Sequence, residues 1–408
     1  MAARRTEELV LQRDGDRGQT VLKFDLGHVA YLRSDAGAQA LREVAALPLT
    51  DSTLVSDIAW ARERFGEHTG ALVETTVLRR KAAAKLTCAH NWLFTDEALQ
   101  QATAEPVARH RARRLAGRRV HDATCSVGTE LVALADSAAL LLGSDVDPVR
   151  LAMARHNVPD VGLCRADALR PISRGAVVLL DPARRRGGRR RFDPRDYTPA
   201  LDALLETYRD RDVVVKCAPG IDFNAVRQLG FTGEIEVTSL AGSVREACLW
   251  STNLAEAGVT RRATILDTGE QITDADPDDC GVGPAGRWIV DPDGAVVRAG
   301  LVRHYAARHG LWQLDRAIAY LSGDELPDGV RGFEVLEQID YSERRLRQAL
   351  SARDVGAAEI LVRGVDVDPD RLRSRLRLRG STAASAIITR LGSGPVSRAT
   401  VFICRPSR

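Results

Sequence analysis

The chain has 408 residues, room for two or three domains, and its 44% hydrophobic and 28% charged content is that of a folded globular protein. Net charge is only +3 although 58 residues are basic, nearly all of them arginine. Such a skew reflects genomic base composition more readily than a polyanion-binding surface, so only local arginine clusters carry information.

Seven scattered cysteines, with no C-x-x-C pair, argue against a disulfide framework and against a cysteine zinc site, and no other metal site is legible. A reducing, cytoplasmic setting is the expectation. Met1–Gln12 lacks the apolar core of a signal peptide, and runs such as Ala176–Leu180 are too short to span a bilayer, so no membrane partner is expected.

Residues 1–97 read as a helical N-terminal region. Ala36–Ala46 and Asp57–Phe65 carry apolar residues at three-to-four spacing. The basic stretch from Arg79 to Lys85 fits either a solvated helix face or a nucleic-acid contact. Trp92 and Phe94 fit either stacking on a base or hydrophobic docking of the preceding helix. A helix is predicted over Asp96–Leu115, with Thr95 as its N-cap.

Strand candidates then follow at Arg119–Asp122, Leu140–Ser144, Val161–Arg165, Ala176–Leu180, Asp212–Lys216, Gly233–Leu240 and Ala247–Ser251. Helical segments such as Val149–Asn157 lie between the earlier ones. This alternation predicts an α/β domain over 98–255, a Rossmann-like, mostly parallel sheet covered on both faces. Its last two strands would form an antiparallel hairpin. In the connecting region 256–328 the pattern weakens, with a loop at Asp274–Gly286 and a helix near Ala295–Ala307. Residues 329–408 read as a small α+β domain. Its strands are Gly332–Gln338, Glu359–Arg363, Ser385–Leu391 and Arg398–Cys404, and its helices Ser342–Ala352 and Pro369–Leu376. This tail holds 15 arginines and 9 acids.

Four acidic turns mark the carboxyl ends of the first strands, led by Asp122, Asp145, Asp167 and Asp181 and spaced 23, 22 and 14 residues apart. Ligands of open α/β sheets bind at those ends. The dinucleotide pattern G-x-G-x-x-G and the P-loop pattern are both absent. Acids in this order point instead to S-adenosylmethionine. Asp145, ending the second strand, can accept from both ribose hydroxyls. Asp167, beside Ala168, can accept from the adenine amine, and Asp122 can meet the methionine end. The first turn contains Cys125 and Gly128; Cys125 is counted with the cofactor turn, chiefly as a packing residue. Thr124 and Ser126 stand where a fuller pattern has glycine.

The fourth turn, Asp181-Pro182-Ala183-Arg184, falls where a nucleophile must meet the methyl group. Asp181 and the Pro182 carbonyl can aim an acceptor amine. Arg184 opens RRRGGRRR, six arginines in eight residues, suited to phosphates and bases. Cys217, after the next strand, offers a second chemistry, thiolate addition to a pyrimidine ring with Lys216 lowering its pKa; a packing role is the alternative. His121 reads as structural.

The span Phe94–Asp122, with Asp122–Glu130, Asp145–Pro148, Ala166–Leu169, Asp181–Arg185, Lys216–Gly220, Val244–Glu246 and Pro292–Gly300, resembles a bacterial family of class I S-adenosylmethionine-dependent methyltransferases. Members carry a C-terminal THUMP-like domain. The same chain is more distantly similar to trimethylguanosine synthases over Phe94–Asp181. The resemblance implies a methyltransferase sheet, S-adenosylmethionine as cofactor, and an appendage of RNA-binding type, with tRNA or rRNA as partner. Ala183 and Arg184 stand where amino-methylating enzymes carry a second proline and an aromatic. Uracil-C5 methyltransferases have a similar Asp-Pro-Pro-Arg turn and a cysteine after the next strand. Amine and ring-carbon acceptors therefore both stay open, as do a protein or small-molecule acceptor and a noncatalytic RNA-binding protein on a degenerate scaffold.

Overall fold

A computed structural model describes residues 22–183, 185–186, 189–190, 193–392 and 394–407. Two compact units divide it. One is the chain up to Glu234 with Glu246–Glu256, and the other is Ile235–Arg245 with the chain from Ala257 onward. No helix among the described residues is long and apolar enough to cross a membrane.

The first unit opens with helices α1 (Leu26–Leu32), α2 (Asp35–Ala45), α3 (Leu54–Phe65) and α4 (Thr69–Ala82). Ser34 caps α2 by accepting from the Gly37 amide, and Gly37, Ala40, Leu41 and Val44 bury one face at helical spacing. The basic stretch is partly solvated, with Arg80 and Lys81 exposed, yet three of its cations are engaged by the protein's own backbone. Arg79 donates to the carbonyls of Asn91 and Trp92, and Arg80 to those of Ala45, Leu47 and Pro48. Lys85 donates to Leu99 O. These cations satisfy carbonyls at the ends of helices and turns, where backbone acceptors have no helical partner.

Trp92 and Phe94 are buried in the same core as Cys125, Val127, Leu131 and Met153. Docking, not base stacking, is their role. Asn157 pins this segment. Its side chain pairs with both backbone groups of Leu93 and also donates to Val127 O. The helix expected over Asp96–Leu115 is two, α5 (Asp96–Gln101) and α6 (Glu105–Arg114). Pro106 in the first turn of α6 explains the break, because it cannot continue an incoming helix.

Next come β1 (Arg119–Asp122), α7 (Thr129–Ala135), β2 (Leu140–Asp145), α8 (Pro148–Asn157), β3 (Gly162–Arg165) and β4 (Val177–Leu180). They are followed by α9 (Leu201–Thr207), β5 (Val213–Cys217), α10 (Phe223–Gln228), β6 (Glu234–Leu240) and β7 (Ser243–Trp250). Within the first unit the sheet order is β7-β5-β4-β1-β2-β3. Its strands are parallel except β7, which runs antiparallel to β5 from Ala247 to Trp250. Every residue of β4 and β5 is buried, as continuous apolar strands of a covered parallel sheet must be. From β1 the chain winds outward through β2 and β3, then returns to place β4 on the other side of β1. The strand order therefore reverses between β1 and β4, and Asp122 and Asp181 stand at those two strand ends.

In the second unit β6 runs parallel to β8 (Arg261–Ile265), and β9 (Glu270–Thr273) lies antiparallel on β8. A seven-stranded sheet follows. It is built from β10 (Trp288–Val290), β11 (Trp312–Asp315), β12 (Ile318–Gly323), β13 (Gly332–Asp340), β14 (Val355–Arg363), β15 (Thr382–Leu391) and β16 (Arg398–Pro406), in the order β11-β12-β10-β13-β16-β15-β14. The strands from 261 to 323 were not legible, being at most six residues long and flanked or interrupted by charge. Where one helix was expected near Ala295–Ala307 there are two, α11 (Gly294–Ala299) and α12 (Val302–Arg308), separated by Gly300 at φ 70°.

Helices α13 (Glu343–Ser351) and α14 (Pro369–Leu376) bury Leu346, Leu350, Leu372 and Leu376 against Ala386, Ile388, Val401 and Ile403. The alternate residues Ile387 and Phe402 join Phe333 and Tyr320 in a separate cluster. At one end of β14 the backbone approaches closely: a Cβ on Gly356 would lie 1.8 Å from Gly380 O. Gly356→Ala should force that loop away from β14 and destabilise the chain by about 1–3 kcal/mol. Thermal unfolding that matches the unsubstituted protein would show the approach to be looser than described.

Candidate functional site

Three turns at the carboxyl ends of β1, β2 and β4 are joined by side chains. Asp122 accepts from the Thr124 amide at 3.1 Å, which folds the chain back as it leaves β1. Ser126 then takes a left-handed conformation at φ 50°, and Gly128 another at φ 94° as N-cap of α7. A side chain at Gly128 would be strained and would also press on Val158.

Asp145 spans two turns. Its Oδ2 accepts from the Ser126 amide and its Oδ1 from the Asp147 amide, both at 2.9 Å. Asp147 in turn caps α8. Cys125 points into the core, where a Cβ on Gly143 would come within 3.2 Å of its sulfur. Its side chain packs the turn from below. After β3, exposed Asp167 accepts from the Leu169 amide, and buried Ala168 offers its carbonyl to Tyr208 Oη at 2.7 Å.

The turn after β4 is tied to the turn after β1, since the Asp181 amide donates to Thr124 Oγ1 at 2.6 Å. Pro182 is buried, and Ala183 exchanges two backbone hydrogen bonds with Thr198. Arg184 lies outside the described residues. Of the arginine run, Arg185–Arg186 and Arg189–Arg190 pair as a short antiparallel ribbon.

Beneath Asp181 runs a chain of buried charges that the sequence reading missed as a unit. Lys216 Nζ bridges Asp181 Oδ2 at 2.5 Å and Glu130 Oε1 at 3.0 Å. Arg111 donates to Glu130 Oε2 at 2.9 Å and also pairs with Glu246. Isolated, each ion would cost several kcal/mol to bury. Pairing offsets that cost for Glu130 and Lys216, whereas burial keeps the Glu246 carboxyl above its usual range in spite of Arg111. Burial alone would raise the Glu130 carboxyl, but Arg111 and Lys216 bring it down to about 2. Burial would lower the Lys216 ammonium, yet Asp181 and Glu130 hold it above its usual value. Asp122 forms no ion pair among the described residues: burial first, and the Glu130 charge second, push it up to about 8 against the opposing Thr124 amide and the more distant Lys216 charge. One signal was available, because Lys216 is one of only four lysines in an arginine-rich chain and interrupts an otherwise apolar strand.

Lys216 thus faces acids rather than Cys217, whose fully buried thiol is directed at Val215 O. His121 sits between Ser144 Oγ and Ser173 Oγ, each at 2.9 Å, and burial lowers its pKa to about 4; its place is structural. Among the described residues no group of three or more His, Cys, Asp and Glu side chains could hold a metal ion.

Two Mycobacterium tuberculosis proteins, from strains CDC 1551 and H37Rv and each named an uncharacterized S-adenosylmethionine-dependent methyltransferase, are 68% identical over 357 residues, 85% of this chain and 100% of theirs. The chain belongs to this S-adenosylmethionine-dependent methyltransferase family. Residues 330–406 match the THUMP domain-like family, and residues 25–82 match a domain of unknown function. A crystal structure of a candidate methyltransferase from Porphyromonas gingivalis W83 shares the fold, with TM-score 0.73 at 18% identity over 95% of this chain and 100% of that one.

S-adenosylmethionine is the methyltransferase's cofactor, and the strand ends fit it. Asp122, Asp145 and Asp181 stand at neighbouring strand ends, and such acids would suit a cationic cofactor, whereas the pyrophosphate of a dinucleotide would be repelled. If Asp122 receives the cationic end, binding takes its proton. Affinity should then rise as pH increases toward about 8 and level off above it. Calorimetric titrations from acid to alkaline pH check this, and Asp122→Asn should remove the dependence. Asp145→Ala should weaken cofactor binding by ~10–100-fold, the worth of charge-assisted hydrogen bonds; an unchanged Kd removes Asp145 from the site.

Proposed function

We propose that this methyltransferase acts on a base in structured RNA, tRNA or rRNA. The observation that carries the reading is the THUMP domain-like match over 330–406, since THUMP domains engage RNA. Charge agrees with it. Helix α14 buries Leu372 and Leu376 while Arg371, Arg373 and Arg375 are exposed, as are Arg377 and Arg379 just beyond it. Residues 98–255 would carry out transfer and 329–408 would bind RNA.

When bound, S-adenosylmethionine supplies an electrophilic methyl group. Asp145 would accept from its ribose hydroxyls, Asp167 with Ala168 would meet the adenine, and Asp122 and the Cys125–Gly128 turn would bound the methionine end. Asp181, Pro182 and Arg184 would shape the acceptor side. The buried ion-pair series that ends on Asp181 favours an active enzyme over a noncatalytic scaffold.

The direct test is transfer of labelled methyl from S-adenosylmethionine into RNA from cells lacking the protein. Nuclease-sensitive label is the expected result, and label confined to protein or small molecules would overturn the reading. Reversing Arg371, Arg377 and Arg379 to Glu should weaken RNA binding by ~10-fold or more and flatten its salt dependence, with cofactor affinity unchanged.

A further inference from the structure

Asp181 is located from two sides. Its backbone amide is bound to Thr124 Oγ1, and its Oδ2 to Lys216. Lys216 cannot wander, because its side chain is 4% exposed and is also bound to Glu130. Glu130 is held by Arg111, which is held by Glu246. Five side chains, from α6, α7, β5, β7 and the end of β4, therefore form one series that terminates on Asp181. The Asp181 side chain is 22% exposed, and its Oδ1 accepts from no described residue. A carboxylate paired with an ammonium donates nothing; its open oxygen can only accept.

We propose that Lys216 is a positioning residue for methyl transfer, fixing Asp181 so that its open oxygen receives an N–H of the acceptor, which makes the acceptor a hydrogen-bearing nitrogen rather than a ring carbon. For a base this is an exocyclic amine. The proposal rests on the reading that the acceptor meets the methyl group at the Asp181 turn. A hydrogen bond from the amine to Oδ1 sets the direction of the nitrogen lone pair. That pair forms the new N–C bond as the methyl–sulfur bond breaks with its electrons passing to sulfur, and the surplus N–H proton leaves by way of Asp181 to water. Ring-carbon chemistry needs a thiolate open to the base, and the Cys217 sulfur is fully buried.

Removing Lys216 alone leaves Asp181 without its ammonium and buried Glu130 with Arg111 only, which risks unfolding. The test therefore uses Lys216→Met combined with Glu130→Gln, which removes one charge of each sign, beside Lys216→Arg and Cys217→Ala. Each full-length protein, checked for folding by circular dichroism, is given labelled S-adenosylmethionine with separate RNA, protein and small-molecule fractions from cells lacking the protein. Mass spectrometry of the digests then locates the methyl group.

The expected product is methylated on nitrogen. In the double variant kcat should fall ~10²-fold, the cost of a misplaced acceptor, with KM and cofactor Kd little changed. Lys216→Arg should recover much of the loss, and Cys217→Ala should behave as the unsubstituted protein. Methyl on carbon or oxygen, transfer abolished by Cys217→Ala, or an unchanged kcat in the double variant would each overturn the proposal. Methyl on a protein nitrogen would instead sink the RNA reading and support this one. No label in any fraction would overturn both.

Discussion

An ammonium buried between two carboxylates, Lys216 between Asp181 and Glu130, is the constraint around which the first unit is arranged. Its partners come from separate elements, and Arg111 and Glu246 extend the series to a helix and the antiparallel strand. None of these ions could be buried alone without a cost of several kcal/mol. The carboxyl ends of strands are where ladder hydrogen bonds stop and turns begin, so something other than the ladder must locate them. Here charge does so on one side of the strand-order reversal, and the Asp145 carboxylate, gripping two turn amides, does so on the other.

That division of labour explains why the site needs little glycine. A glycine-rich turn is usually held by its own backbone freedom. In this chain Ser126 carries a left-handed φ of 50° and is secured by Asp145, while Gly128 serves where a side chain would meet Val158. Thr124 also has a task, receiving the Asp181 amide and so fixing the distance between the turns after β1 and β4. Residues that look like eroded glycines are cross-links between turns. Asp122 is the exception in this set: it is buried without a dedicated cation, which raises its proton affinity and leaves it suited to a positively charged ligand.

The second unit is built on a different principle. Its sheet alternates faces residue by residue, Ile388 under the helices and Ile387 in the other cluster, so the hydrophobic pattern alone specifies which way each strand lies. Arg371, Arg373, Arg375, Arg377 and Arg379 sit on exposed positions left by that pattern. By contrast, Arg79, Arg80 and Lys85 near the N-terminus are spent on backbone carbonyls. Identical residue types thus have opposite uses, and only burial and partners separate them.

The αβ alternation, the parallel sheet and the acids at its strand ends are legible in the residues alone, because side-chain periodicity and turn chemistry are local. So are the strands and helices after Gly332, down to the Asp368-Pro369 start of α14. Tertiary structure decided what depends on residues far apart in the chain. It buried Trp92 and Phe94, turned Lys216 toward acids and away from Cys217, and joined Arg111 to Glu246, 135 positions away. Pairing of this kind leaves no period and no spacing in the sequence, since the cost of a buried charge is settled by whichever partner the fold brings to it.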